Sequence, residues 1–268
     1  MNGQIKIYGK AILLNQYAKT TLVILISLIA VVFLGNIVYL VDFLLKSRYV
    51  AEIFENVSNL VVTVMIVCFV ALTAVISSLV IIPLKYGREI WFYEQAKRNR
   101  QNIKYLFKNY SPKKSFKPIG LYFYLFFIKL GVFLCFELPT IFVSLYFAHA
   151  LKDGISQELF IALIATMVVL FLIGDFFYFV FSQRYFLAKY ILYENEDCRV
   201  IEALKTSTSI MEKKCFQSAM FKLSFFPWFL LYIFIAPAIY VYPYYKVSTA
   251  YYGISILSNR KFIESSAD

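Results

Sequence analysis

The chain has 268 residues, of which 61% are hydrophobic and 16% charged, and its formal net charge is +11. Soluble domains average about 45–50% apolar and about 25% charged residues. This composition excludes an ordinary soluble globular domain, because a chain of this length could not hide so much apolar surface from water.

Several apolar segments follow one another along the chain, each of a length that suits a membrane crossing. A helix rises about 1.5 Å per residue, so roughly 20 residues cross a hydrocarbon layer of about 30 Å. Strand alternation is absent, and an isolated strand in lipid would leave its backbone groups unpaired. The sequence therefore predicts an all-α polytopic transmembrane helical bundle of about six helices, forming a single membrane domain over residues 1–268. The predicted spans are 21–44, 57–83, 119–148, 159–183, 219–236 and 244–258.

The last apolar stretch, residues 219–258, is interrupted by prolines. Pro237 and Pro243 are predicted to bracket a tight reversal, since proline interrupts a helix and the tyrosines around them suit a membrane interface. The stretch then crosses twice. One long tilted span is the alternative.

Basic residues predict the orientation of these spans. Three lie in the first 20 residues, ten between 84 and 117, and seven between 184 and 222, whereas the two intervening connections hold three together. Such a bias places the basic side in the cytoplasm. We expect a multi-pass protein of the cell membrane with a cytoplasmic N-terminus and cytoplasmic connections 84–117 and 184–218.

Both connections are expected to contain amphipathic helices, because apolar and basic residues occur together in each of them. Lys97, Arg98 and Arg100 are the predicted lipid-headgroup contacts, since a basic connection beside a span meets anionic lipid more often than nucleic acid. The expected partners are membrane lipids and a possible membrane protein partner, with no nucleic acid.

Charged residues occur within the third and fourth predicted spans: Lys129, Glu137 and Asp175. Each costs about 2.5–3.5 kcal/mol at the centre of a membrane helix on insertion scales, so such residues tend to face a partner or a wet cavity. They form the candidate intramembrane polar site. They can act as a polar or proton-coupled pathway, or Lys129 and Asp175 can form a structural ion pair that fixes helix register.

No residue pattern predicts catalysis, and we expect a protein that is not an enzyme. His149 is the sole histidine, no zinc-binding helix motif or CxxC pair occurs, and phosphate-binding glycine loops are absent. No metal and no cofactor are expected.

In two blocks, one beginning PLKYGREIWFYEQA and the other RYFLAKYILYENEDC, the sequence resembles the bacterial integral membrane family known as domain of unknown function 975. The first is PLKYGREIWFYEQA followed by IKYLFKNY, where the likeness rests on Gly87, Arg88, Glu89, Trp91, Phe92, Ala96, Leu106 and Phe107. The second is RYFLAKYILYENEDCRVIEALKTSTSIMEKK, then LSFFPWFLLYI, then YPYYKVSTAYYG. Its matching residues are Tyr185, Ala188, Tyr190, Ile191, Leu192, Glu202, Ala203, Leu204, Ser207, Met211, Leu223, Ser224, Phe225, Trp228, Tyr242, Pro243 and Tyr244.

The chain departs from the family pattern at residues 174–179, which read GDFFYF where an isoleucine-proline-glycine stretch is usual, and at Pro227. The resemblance implies a polytopic bacterial membrane protein of unknown activity. The favoured hypothesis is a non-enzymatic accessory protein that binds a partner or lipid through its cytoplasmic helices. The alternative is a transporter or ion-conducting protein that uses the intramembrane charges.

Overall fold

The computed structural model describes residues 2–14, 16–45, 59–99, 101–110, 112–231 and 235–265. It is 90% helical, and no strand forms within those ranges. The α-helices are α1 (Asn2–Leu14), α2 (Tyr17–Leu45), α3 (Asn59–Ala96), α4 (Pro112–Asp153), α5 (Gln157–Ser182), α6 (Ala188–Glu194), α7 (Val200–Met211), α8 (Cys215–Leu223), α9 (Phe226–Leu230) and α10 (Ile235–Ser265). Two 3-10 helices accompany them, η1 (Ile103–Tyr110) and η2 (Gln183–Tyr185).

Three helical segments in the described part of the chain are long and apolar enough to cross a membrane: Val67–Ala96, Phe116–Lys152 and Gln157–Glu194. The most apolar stretch of each is mostly unburied, with 12%, 6% and 6% of its residues covered by protein. Such continuous apolar surface suits lipid rather than water. A fourth candidate consists of α1 and the first half of α2, if this bent pair is counted as one span. The predicted all-α polytopic transmembrane fold is confirmed.

The end of the chain differs from the predicted pair of short spans. α10 is continuous from Ile235 to Ser265, so the predicted reversal between Pro237 and Pro243 does not form. Pro237 lies in the first turn, where an N–H has no helical partner, and Pro243 costs only the bond to one earlier carbonyl. Residues 219–236 are predicted to form one span. The described part of this range instead contains the end of α8, a helix of nine residues, and all of α9, a helix of five.

α3 also passes through a proline without ending. Pro83 lies inside the helix, and the Tyr110 hydroxyl of η1 donates to the nearby carbonyl of Val80 at 2.7 Å. Pro83 lacks the N–H that would bind the carbonyl of Leu79, and the Tyr110 bond to the next carbonyl fastens η1 to the helix beside the proline. Burial also raises the pKa of Tyr110 above its ordinary value. Residues 84–96 therefore continue the long helix instead of forming a separate surface helix.

The chain divides into two compact units. Unit 1 comprises Met1–Ile119 and Tyr232–Ser255, and unit 2 comprises Gly120–Leu231 and Ile256–Asp268. The core of unit 1 is formed by fully buried side chains drawn from α2, α3, η1 and α10: Val23, Trp91, Phe92, Leu106 and Val247. Apolar groups from four elements thus exclude water around the end of α3.

In unit 2, hydrogen bonds hold the short helices α7 and α8 against η2, at the end of α5. The Ser207 hydroxyl of α7 donates to the backbone carbonyl of Arg184 at 2.7 Å, and the Lys222 ammonium donates to the side-chain oxygen of Gln183 at 2.5 Å. The Glu202 carboxylate accepts the N–H of Arg199 at 3.0 Å, which satisfies a free donor at the start of α7. Polar side chains therefore secure these turns by reaching backbone groups or amides.

A three-residue link joins α4 to α5 within unit 2. Gly154 has a φ of 77°, a left-handed conformation in which glycine carries no Cβ penalty. Ser156 begins α5 and accepts the N–H of Leu159 at 3.3 Å. Gly154 and Ser156 thus stop one long apolar helix and start the next within three residues.

Candidate functional sites

Two of the predicted headgroup contacts lie at the end of α3, on the surface of unit 1. Lys97 and Arg98 are both exposed. The Lys97 ammonium lies 4.5 Å from the ring centre of Tyr93, and the Arg98 guanidinium lies 4.9 Å from that of Tyr8. Both distances are within the range of cation–π attraction. Arg100, the third predicted contact, lies outside the described residues.

A third exposed cation follows in η1. The Lys108 ammonium lies 4.8 Å from the ring centre of Tyr105 and donates to the hydroxyl of that tyrosine at 3.2 Å. We call Lys97, Arg98 and Lys108 the basic rim of unit 1. Each of these cations is held against a tyrosine ring, so less side-chain entropy is lost when an anion binds than for three unrestrained side chains.

An ion pair in unit 1 joins two distant parts of the chain. The Lys246 ammonium donates to the carboxylate of Glu89, a residue 157 positions earlier. Glu89 is buried, and the Lys246 ammonium and the Arg88 guanidinium lie 5.5 and 5.7 Å from the ring centre of Tyr242. The sequence analysis did not identify this pair, because nothing in a single sequence links residues so far apart.

Glu137 of α4 is the most unusual of the predicted intramembrane residues. It is 3% exposed, and neither carboxylate oxygen has a hydrogen-bond partner. It contacts α5 where Gly174 has no side chain, since an added Cβ there would collide with this carboxylate. Thr140, one turn later on α4, also carries a buried hydroxyl without a partner. Unsatisfied buried polar groups are uncommon in folded proteins, so this pair marks a candidate polar site.

The other two predicted residues lie near this contact along the same helices. Asp175 directly follows Gly174 and is partly buried, and Lys129 lies two turns before Glu137 and is partly buried as well. The Glu137 carboxylate therefore lies against the backbone of α5 next to Asp175. The Lys129–Asp175 ion pair stays a prediction.

No group of three or more histidine, cysteine, aspartate or glutamate side chains is placed to hold a metal ion within the ranges given above. The four cysteines, all of which lie in the described ranges, form no disulfide, and Cys68 and Cys135 are exposed on the apolar helices.

The long apolar helices give the chain the fold class of a polytopic transmembrane helical protein. The family model for a protein of unknown function, DUF975, matches residues 1–260, and the chain belongs to this family. No curated protein and no solved structure matches the chain.

Most residues that carry the family resemblance have their side chains inside the two units. An added Cβ at Gly87 would collide with the carbonyl oxygen of Leu106, so the first block brings its two parts into direct contact. Trp91, Phe92 and Leu106 are each 0% exposed, and Ser207 holds the second block against Arg184. These family residues therefore determine how the helices within each unit pack. A surface that binds a partner has to be formed by other side chains.

Proposed function

We propose that this protein is a non-enzymatic integral protein of the cell membrane that binds anionic lipid headgroups through the basic rim of unit 1. The observation that carries the proposal is the set of three exposed cations, Lys97, Arg98 and Lys108, each held 4.5–4.9 Å from a tyrosine ring. The basic bias of the connections supports a multi-pass topology with this surface and the N-terminus in the cytoplasm.

Anionic lipid fits this surface better than a neutral ligand does. The surface of an anionic leaflet attracts basic residues by about 1 kcal/mol each. Lys10 and Lys104 are also exposed in the same unit and add to its positive charge. Phosphate oxygens accept charge-assisted hydrogen bonds from guanidinium and ammonium groups alike.

Reversal of two rim charges is the direct test. We expect Lys97→Glu combined with Arg98→Glu to weaken binding of a short-chain phosphatidylglycerol by at least about 30-fold, because about 2 kcal/mol of attraction is lost. Native mass spectrometry of the purified protein in detergent measures the affinity. Insertion into the membrane should be unchanged.

The matched control reverses Lys205 and Lys213, two exposed lysines of unit 2 in the other basic connection. This control variant should retain wild-type affinity within about threefold, because neither lysine is part of the basic rim. Equal affinity for phosphatidylglycerol and phosphatidylcholine in the wild type, or equal loss in both variants, would refute a specific site at the rim.

An accessory role with a membrane protein partner belongs to the same proposal. Purification of the tagged protein from its native membrane in mild detergent, followed by mass spectrometry, should recover that partner in near-equal amount. A clean oligomer without a partner would count against the accessory role while leaving the lipid proposal standing.

Glu137 favours transport or ion conduction as a second candidate function. A carboxylate that is 3% exposed and lacks a hydrogen-bond partner is costly in an apolar helix pair, so it is available to a transported cation or proton. Glu137→Gln should then abolish a pH-dependent flux across reconstituted vesicles, and Asp175→Asn should reduce it. Wild-type vesicles that conduct no tested ion would eliminate this candidate.

A further inference from the structure

α1 lies almost at right angles to the helix that follows it. The axes of Gly3–Leu14 and Tyr17–Phe33 meet at 89°. α2 is almost entirely apolar, and many of its side chains, Leu22 and Leu25 among them, are exposed. When α2 crosses a membrane along the normal, a helix perpendicular to it runs in the membrane plane.

One face of α1 is fastened to the rest of unit 1. Ile5 and Leu13 are buried on this face. Gly9 approaches Ser248 of α10 so closely that a Cβ would collide with the serine hydroxyl, and the Tyr8 and Tyr251 rings stack with their centres 4.1 Å apart. These contacts fix the rotation of α1 about its own axis, so the opposite face is also defined.

That opposite face carries an apolar stripe. Ile7 is 71% and Leu14 66% exposed, and the exposed Ala11 lies between them. At about 100° per residue the three positions fall within an arc of roughly 60°. Lys10 and then Lys6 come next around the helix on one side of the stripe, and the arrangement matches that of helices lying in a membrane interface.

We infer that α1 is an interfacial helix whose stripe Ile7, Ala11 and Leu14 lies at the boundary between headgroups and acyl chains, in the leaflet that α2 enters. Lys6 and Lys10 then extend to the phosphates of the same leaflet, as long basic side chains do at membrane interfaces. The inference rests on the membrane location in the proposed function and is independent of lipid binding by the basic rim.

Lipid is the occupant that fits this stripe. Two large aliphatic side chains facing water would forgo the hydrophobic stabilisation that lipid provides. Leu14 lies just before α2, whose own exposed apolar surface begins within about two turns at Leu22, so the stripe continues into a surface that lipid covers. The flanking lysines are complementary to anionic headgroups.

The depth of α1 can be measured with a fluorescent label on the full-length chain. Ile7→Cys and Leu14→Cys are made separately after Cys68, Cys135, Cys198 and Cys215 are replaced by alanine, and each is labelled with an environment-sensitive nitrobenzoxadiazole probe. The protein is reconstituted in phosphatidylcholine–phosphatidylglycerol vesicles. Quenching by lipid brominated in its upper acyl chain is compared with quenching by iodide present on both sides of the membrane. Asp197→Cys, an exposed acidic position in the connection after α6 and outside the rim, is the aqueous control.

We expect brominated lipid to quench positions 7 and 14 at least fivefold more strongly than position 197, and iodide to show the opposite order. Equal iodide quenching at all three positions would place the stripe in water and overturn the inference. Weak quenching by both agents at positions 7 and 14 would also overturn it, because a protein neighbour would then cover the stripe. These substitutions replace exposed side chains, so the packed face of α1 is left intact. Loss of lipid binding in the Lys97→Glu and Arg98→Glu variant would test the basic rim and would not test the depth of α1.

Discussion

The long helices of unit 2 and the packed end of unit 1 differ in what surrounds their apolar side chains. In α4 and α5 just 6% of the most apolar stretch is covered by protein, whereas Trp91 and Phe92 of unit 1 are completely buried. Lipid tails are as apolar as leucine, so a side chain facing lipid gains little from protein neighbours. The same residue types therefore stabilise the fold in one region and the membrane location in the other.

The largest effect that separates the two regions should come from removing an aromatic ring. Phe92→Ala should lower the free energy of unfolding by about 3–5 kcal/mol, because it leaves a cavity in the core of unit 1. Phe142→Ala, at a position that is 67% exposed on α4, should cost less than about 1 kcal/mol. Unfolding in detergent, followed by circular dichroism during titration with sodium dodecyl sulfate, measures both. Equal losses would contradict the distinction between the regions.

The Glu89–Lys246 ion pair tests how polar side chains contribute to the stability of unit 1. Glu89→Ala should cost about 3 kcal/mol, since Lys246 loses its partner in a mostly buried position. Glu89→Leu combined with Lys246→Met should recover much of that loss, because the double variant leaves no unpaired charge. The same unfolding titration tests both, and a double variant no more stable than Glu89→Ala would show that the pair is needed for more than charge neutralisation.

The smallest expected effects come from alanine substitutions at two glycines, one in unit 1 and one on α4. Gly87→Ala should destabilise unit 1 by about 1–3 kcal/mol, because the new Cβ meets the Leu106 carbonyl and forces the backbone apart. Gly131→Ala on α4 has nothing within 4 Å and should be neutral or stabilising by up to about 1 kcal/mol, as alanine favours helix. Thermal unfolding of the two variants in one detergent distinguishes them, and destabilisation by Gly131→Ala would indicate a neighbour at that face.

The sequence predicts the lipid-facing helices well, because bilayer thickness imposes a length and a composition that a single chain reveals. For this reason the predicted span 119–148 lies within α4, and the predicted span 159–183 extends one residue beyond the end of α5. The burial of Glu137 could be expected from its place in an apolar segment, although its contact with Gly174 depends on helix rotation.

Packing in unit 1 follows from contacts between distant residues, which composition does not encode. Pro83 and Pro243 suggest helix ends, yet α3 and α10 continue through both, since one lost hydrogen bond is a small cost beside the packing of the helix. The Glu89–Lys246 pair joins two of these continuing helices. Basic residues near position 97 were predicted as a surface, but the tyrosines that hold them are visible only in three dimensions.

The three-residue link between α4 and α5 bears on how the chain is made. Because residues 154–156 allow no room for a folded domain between the helices, a ribosome delivers both to the membrane within seconds of each other. The two can enter as one hairpin, in which Glu137 meets the backbone at Gly174 before either helix is fully surrounded by lipid. Only the short polar tip, with Lys152 and Glu158 near it, would need to be translocated. Lengthening this link should therefore affect biogenesis before it affects the finished fold.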